Sequence, residues 1–249
     1  MNLSGQAVPS ALIVVTTCFF LFLERAFPGR KLPHVDGWYA RAAVVNLVQL
    51  GMIGLAGITW NLYFRSFTVF HLGGWSFPAL EGLFYWFVGT FIFYWWHRLR
   101  HADGFWRLFH QLHHSPKRIE VLTSFYKHPI EIAADSILIG FVVYSLFGGT
   151  AEAGAWYAFF AATGEYFYHA NIKTPHWVGY FIQRPEQHSI HHQLDVHKYN
   201  FGDITWWDRM FGTFKEAPDF AEECGFPNSN ERHFYRILKF EDVYNDKSN

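Results

Sequence analysis

The chain has 249 residues, of which 51% are hydrophobic and 21% aromatic but only 16% charged, against roughly 25% charged in an ordinary soluble domain. A formal net charge of -1, from 20 Lys and Arg against 21 Asp and Glu, leaves no basic footprint for nucleic acid, so DNA and RNA are not expected as partners. The apolar half rules out disorder, and two cysteines, Cys18 and Cys224, rule out a disulfide scaffold.

Residues 1–23 carry no charge, and 42–64 form a second uncharged, mostly apolar window. Each has the roughly 20 residues that a transmembrane helix needs. The first does not read as a cleaved signal peptide: no positive charge precedes it, and Glu24-Arg25 stands where small residues would mark cleavage. The stretch 66–80 holds Gly73-Gly74 and Pro78 and predicts an interfacial loop or re-entrant turn. Its HLGG, a single short match to a haem-binding loop, is set aside as a decoy. Three shorter or interrupted runs, at about 82–96, 132–150 and 153–169, predict further helices, Asp135 and Glu165 falling in the last two. The expected fold is all-α, a multi-pass transmembrane bundle of about four to five spans over 1–170. Residues 171–249 are expected to cap it as part of one integrated domain, with no separate linker.

Lys and Arg in short loops favour the cytoplasmic side. Arg25, Arg30, Lys31 and Arg41 flank the first loop and Arg98, Arg100, Arg107, Lys117, Arg118 and Lys127 the third, whereas the opposite face has only Arg65. This predicts an integral protein of the bacterial inner membrane or endoplasmic reticulum with 97–130 and 171–249 in the cytosol.

Of the 15 His, all but His34, His71 and His233 lie between 97 and 197; those three read as ordinary polar residues. WWHRLRH puts His97 and His101 at i, i+4, on one helix face where the third window ends. HQLHH gives His110, His113 and His114, and QHSIHH gives His188, His191 and His192. Converging neutral imidazoles make a metal pocket. Eight of them exceed the four ligands of a structural zinc site and suit two metals a few ångström apart.

The order HRLRH, HQLHHS, HPIE, YHANI, QHSIHH and NFGDITWWDRMFGTF resembles the fatty acid hydroxylase superfamily, also called the sterol desaturase family, over about residues 83–214. The resemblance implies a membrane oxidoreductase whose histidine-bound pair of iron ions uses dioxygen to hydroxylate or desaturate a lipid drawn from the bilayer. It carries the ligand role onto His97, His101, His110, His113, His114, His188, His191 and His192, and onto His169 as a ninth. Zinc can replace iron on overexpression, since imidazole does not exclude it and the affinity order does not favour ferrous iron. Glu165 stands where some branches have a His one turn before the position of His169; it ligates metal, orients His169 or is a satisfied buried acid. His128, in KHPIE, matches a recurrent position that contacts metal, water or lipid head or simply starts a helix. Asn200, Asp208 and Arg209 match the last motif. Asn200 joins Glu165 and His128 as a catalytic candidate, while Asp208 is expected to hold a ligand imidazole.

The sequence has no G-x-G-x-x-G after a strand, no cysteine set for an iron–sulfur cluster and no fused haem domain. A separate ferredoxin or b-type cytochrome is therefore expected to deliver electrons. The loop 97–127, with six cations against Asp103 and Glu120, either only obeys the positive-inside rule or also serves as the docking patch for an acidic donor. Two alternatives stay open: a sterol-type desaturase with the same site, and a membrane metal-binding or transport protein. The latter requires polar residues along a path through several spans, and the first two windows are read as lacking them.

Overall fold

The computed structural model describes residues 4–246, so residues 1–3 of the first expected span and 247–249 of the expected cap lie outside the described residues. Among the described residues every regular element is helical, with two isolated antiparallel bridges, Ile182 to Ile204 and Gln193 to Cys224.

Helix α1 is Ser4–Ala26; α2, Trp38–Ile58, is carried on past Thr59 by α3, Trp60–Phe64. Helix α4 is Pro78–Arg100, where the opening proline gives up an N–H that has no intrahelical partner anyway. The short α5, Asp103–Phe105, runs through a π-helical turn, Trp106–His110, into α6, Gln111–His114. Helix α7, Pro129–Gly140, continues as π-helix over Phe141–Leu146. Helix α8, Ala151–His169, is capped by the Thr150 hydroxyl, which accepts from the Ala153 N–H at 3.1 Å. Three short helices follow: α9, Pro185–His191; α10, Thr205–Met210; and α11, Phe234–Ile237.

The five apolar windows thus become α1, α2 with α3, α4, α7 with its π-helical extension, and α8. Three of these, Gly5–Ala26, Trp38–Phe64 and Pro129–Leu146, are long and apolar enough to cross a membrane. Helices α4 and α8 make the most extensive contact in the bundle. Two glycines allow it: a Cβ at Gly82 would stand 2.5 Å from Trp156 Cβ, and one at Gly89 would stand 2.8 Å from the Tyr157 hydroxyl. Helix α1 packs on α8 and α2 packs on α7, but α1 and α2 scarcely meet.

The loop after α3 is fixed by backbone hydrogen bonds from Val69 to Ser145 and from Phe70 to Leu146, at 2.7 and 2.8 Å, which tie it to the end of the π-helical stretch. At the opposite end Glu120 is buried and accepts from Trp38 Nε1 (2.6 Å), Arg118 Nε (2.7 Å) and Arg25 Nη1 (2.9 Å). Those bonds anchor the C-terminus of α1 and the N-terminus of α2 to the segment that follows α6. A core of Trp38, Ala42, Leu112, Tyr126, Phe226 and Ile237 joins the C-terminal region to the same place.

Candidate metal centre

The His-bearing elements converge at this anchored end. His97 lies in the last turn of α4 and His101 at its C-cap; His110, His113 and His114 come from the π-helical turn and α6, His169 from the end of α8, and His188, His191 and His192 from α9 and its C-cap. They fall into two groups. His97, His101, His110, His114 and His191 form one, and His113, His169, His188 and His192 the other, the candidate ligand atoms within each lying within 4.8 Å of one another. The groups adjoin, with ring centroids 4.2 Å apart for His114 and His192 and 5.0 Å apart for His110 and His113.

Four of the rings are oriented from behind. Nδ1 donates to the Phe201 carbonyl in His97 (2.7 Å), to Glu131 Oε1 in His110 (2.7 Å), to the Glu165 carbonyl in His169 (2.8 Å) and to the Tyr199 carbonyl in His191 (2.7 Å). Carbonyl and carboxylate oxygens only accept, so the proton sits on Nδ1 and the lone pair on Nε2. Yet Nε2 of His97 faces Nε2 of His110 at 2.8 Å, and Nε2 of His169 lies 3.0 Å from Nε2 of His188 and 3.3 Å from that of His113. In the His97–His110 pair, where both Nδ1 protons are already placed, two lone pairs face each other, and at that range they repel unless both bind a cation. Further ring nitrogens, Nε2 of His101, His114 and His191 and Nδ1 of His113, His188 and His192, are buried without a partner, where buried polar atoms are normally bonded. This donor set fits metal ions, and two groups fit two of them. Burial, backed by neighbouring imidazoles, holds His101, His113, His114, His188 and His192 well below the ordinary imidazole range. Burial brings His191 down to about 3. The rings are therefore neutral at pH 7, the form that ligates metal.

A cavity of about 740 Å³ starts at these rings and runs between α1, α2, α4, α7 and α8, with His97, His110, His113, His169 and His188 at one end and Asn61, Arg65 and Tyr144 at the other. Val14 on α1 and Leu50 and Ile53 on α2 line it and are also exposed, so it opens sideways between the two helices that scarcely touch. Thr17, Asn46 and Gln49 line it as well, which corrects the expectation that the first two windows put nothing polar along a path. A second cavity, about 560 Å³, reaches His101 and His197 from the surface past Trp106, Arg107 and Tyr244.

The remaining sequence candidates take different places. The Glu165 carboxylate pairs with Lys127 at 3.0 Å and stands 3.5 Å from His169 Nδ1; it is the Glu165 backbone carbonyl that receives the His169 proton. His128 lies outside both groups. It caps α7, its Nδ1 accepting from the Ile130 N–H at 3.2 Å, its Nε2 3.4 Å from the Leu238 carbonyl and its ring 4.8 Å from that of Phe240. Asn200, in the left-handed region at φ 55°, spends its amide on the Gln187 and Lys215 carbonyls (both 2.9 Å) and the Lys215 N–H (2.8 Å). It is a turn residue of the kind Asn tolerates. Asp208 touches no imidazole, contrary to expectation: it accepts from the Phe201 and Gly202 N–H groups, both at 2.8 Å, and so holds the residue whose carbonyl orients His97. Arg209 lies 3.7 Å over the Phe214 ring.

Sequence reasoning missed Glu131, which HPIE contains but which meets its imidazole only across 21 residues. It also missed His197, whose Nδ1 is 3.0 Å from that of His114; its place five residues after His192 was the available signal. The basic docking loop needs correction too. Arg100 is buried against Glu131 and, at 3.6 Å, Asp135, while Lys127 is buried against Glu165 and, at 3.5 Å, Asp135. Arg118 is bound to Glu120 at 2.7 Å. Half of the six cations therefore neutralise internal acids instead of charging the surface.

The family model for fatty acid hydroxylase matches residues 82–213. The chain is similar to methylsterol monooxygenase 2-1 of Arabidopsis thaliana, 38% identical over 63 residues, which is 25% of this chain and 23% of that protein. It is similar to a very-long-chain aldehyde decarbonylase of Oryza sativa subsp. indica, 27% identical over 122 residues, 47% of each. It is also similar to sphinganine C4-monooxygenase 1 of Arabidopsis thaliana, 28% identical over 149 residues, 57% of this chain and 56% of that protein. The chain thus matches between about a quarter and just over half of the length of these relatives. No solved structure matches it.

Proposed function

The chain belongs to the fatty acid hydroxylase family, and from that premise we propose that it is a membrane-bound oxygenase that hydroxylates a lipid C–H bond, using dioxygen and electrons from a separate carrier. The observation that carries this reading is the junction of two imidazole groups with one end of an elongated, laterally open cavity. Its 740 Å³ lie within the usual range for a small-molecule site. The five and the four imidazoles would hold a pair of iron ions, which would supply the dioxygen chemistry that acid–base residues lack.

The chain's own part is positioning. Phe201, Tyr199 and Glu165 carbonyls and the Glu131 carboxylate keep four rings turned with Nε2 inward. The α1–α2 opening admits a lipid tail from the bilayer, and the buried wall excludes water. The flanking basic residues favour the cytoplasmic side for the imidazole groups. Hydroxylation and desaturation differ in whether oxygen returns to the carbon or a second hydrogen leaves, so the desaturase reading shares the whole site. A metal-transport path is disfavoured by the cavity's far end, where the wall offers Arg65 and Asn61 and no imidazole or carboxylate.

The test is to express the chain and its His191→Ala variant in a membrane-competent host under ¹⁸O₂ and compare lipid extracts. A lipid carrying one ¹⁸O atom with the wild type and not with the variant is expected. Unchanged lipids together with movement of zinc across the membrane would overturn the oxygenase reading.

A further inference from the structure

The two ends of the large cavity differ in chemistry. At the end away from the imidazoles, the Arg65 guanidinium lies 4.3 Å over the Tyr144 ring. Arg65 Nε and Asn61 Oδ1 both belong to cavity-lining side chains and are buried without a hydrogen-bond partner; Trp86 Nε1, further along the wall, is the same. Asn61 and Arg65 are one turn apart and so share a face. Asn61 is held against Gly140, where any Cβ would collide with its Oδ1. At the imidazole end Arg100 and Lys127 are already committed to Glu131, Asp135 and Glu165. Among the described residues Arg65 makes no such ion pair. Arg65 is half-buried, and a cation without a counter-charge at one end of an apolar pocket is the kind of group that fixes a ligand's orientation.

We propose that this end is the recognition site for the carboxylate of a long-chain lipid acid, anchored by the Arg65 guanidinium and, on the same face, by the Asn61 Nδ2 amide as second donor. The inference rests on the oxygenase reading for what happens at the other end. The alkyl chain lies along α8, where the small residues Gly154, Ala155, Ala158, Ala161 and Ala162 line the cavity between Tyr157, Tyr166 and Tyr168 and leave room for it. Gly154 packs on the Tyr144 hydroxyl, and fifteen residues of helix separate it from His169, about 22 Å at 1.5 Å each. The carbon brought to the imidazoles is therefore remote from the carboxylate, toward the methyl end of the chain. Arg65 sets both which lipids bind and which carbon is presented.

The experiment is equilibrium binding of radiolabelled hexadecanoate to the full chain in lipid nanodiscs, with competition by unlabelled hexadecanoate and by its methyl ester. Saturable binding of the acid is expected, with the ester weaker by about tenfold or more and Arg65→Gln weakening the acid by about the same factor. Arg65→Lys should restore most of the affinity, and Asn61→Ala should cost a few-fold. Equal binding of acid and ester, or affinity untouched in Arg65→Gln and Asn61→Ala alike, would overturn the proposal. Binding is read without turnover, so a protein that binds in this way yet oxidises nothing overturns the oxygenase reading alone. Product formed at the same carbon and rate by Arg65→Gln overturns this inference alone.

Discussion

Glu131 stands directly behind His110, its Oε1 2.7 Å from Nδ1, and the same carboxylate is the ion-pair partner of buried Arg100. One acid thus orients an imidazole and neutralises a cation. Glu131→Gln keeps an acceptor but loses the charge, and is expected to cost about 10- to 100-fold in metal affinity or activity, the usual effect of losing such a partner. Glu131→Ala also removes the acceptor, leaves Arg100 with Asp135 at 3.6 Å alone and should cost up to about 3–5 kcal/mol of stability. Elemental analysis and thermal denaturation of the two variants separate the effects; equal metal content and equal melting in both would show that the carboxylate does neither.

The adjacent residues His113 and His114 face different groups. The purified wild type should carry close to two ions per chain, iron in the working form. His113→Ala and His114→Ala should each lower that by about one ion, because each strips a different group, and the double variant should hold almost none. His34→Ala, whose exposed ring touches only Asp36 in the hydrogen-bond network, should keep both. Elemental analysis decides; a single ion in the wild type would remove the two-metal assignment.

The helices and the imidazole set were legible in the sequence because both are local signals. The two uncharged windows of spanning length became α1 and α2 with α3, the run interrupted by Asp135 became α7 with its extension, and H-x₃-H and H-x₂-HH spacings put rings on one face wherever a helix forms. The supports were not legible. The carbonyls of Tyr199 and Phe201 reach His191 and His97 only because the turn between them and α9 contains Asp195, His197 and Asn200 at positive φ. No periodicity announces such a turn. Glu131 was missed for the same reason, since its partner is set by how α7 packs on the π-helical turn Trp106–His110. Charge counting along 97–127 failed because it cannot tell a surface cation from one buried against an acid, as Arg100 and Lys127 are.

Acid should destabilise the metal-free protein with a defined onset. In the unfolded chain imidazoles titrate near 6.5, whereas burial keeps those of His110, His113, His114, His188 and His192 neutral to well below that, His191 to about 3 and His197 to about 4. Above 6.5 neither state binds these protons and the imidazoles' contribution to stability is flat. Below it only the unfolded state takes them up, so stability falls as pH falls, by up to about 1.4 kcal/mol per unit for each ring. Melting temperature in detergent should therefore hold between pH 8 and 7 and drop steeply between about 6.5 and 4.5. A melting temperature unchanged down to pH 5 would mean that the rings are not buried as neutral species.

The last expectation concerns where electrons enter. His101 is the least buried of the nine clustered rings, and with His197 it lines the second cavity, whose rim carries Trp106, Arg107, Asp103 and Asp242. That rim joins the surface to the one partly exposed ring of the two groups, so a separate redox protein is expected to dock over it. Its charges are mixed. With Arg100, Lys127 and Arg118 consumed by internal acids, long-range steering of an acidic donor is weak. The donor-supported rate should therefore change little as screening shortens from about 30 Å at 0.01 M salt to about 10 Å at 0.1 M. Arg107→Glu, at an exposed position on the rim, should raise the apparent KM for the donor without altering metal content. Lys117→Glu should leave it unchanged, since Lys117 bonds Ser229 at 3.2 Å and lies outside the rim. Arg118→Glu tests something else, because Arg118 braces Glu120 and the Pro33 carbonyl at 2.7 Å each; its expected effect is lost stability. A steep salt dependence, or a donor KM sensitive to Lys117 and indifferent to Arg107, would move the docking site away from His101 and onto the 117–118 segment.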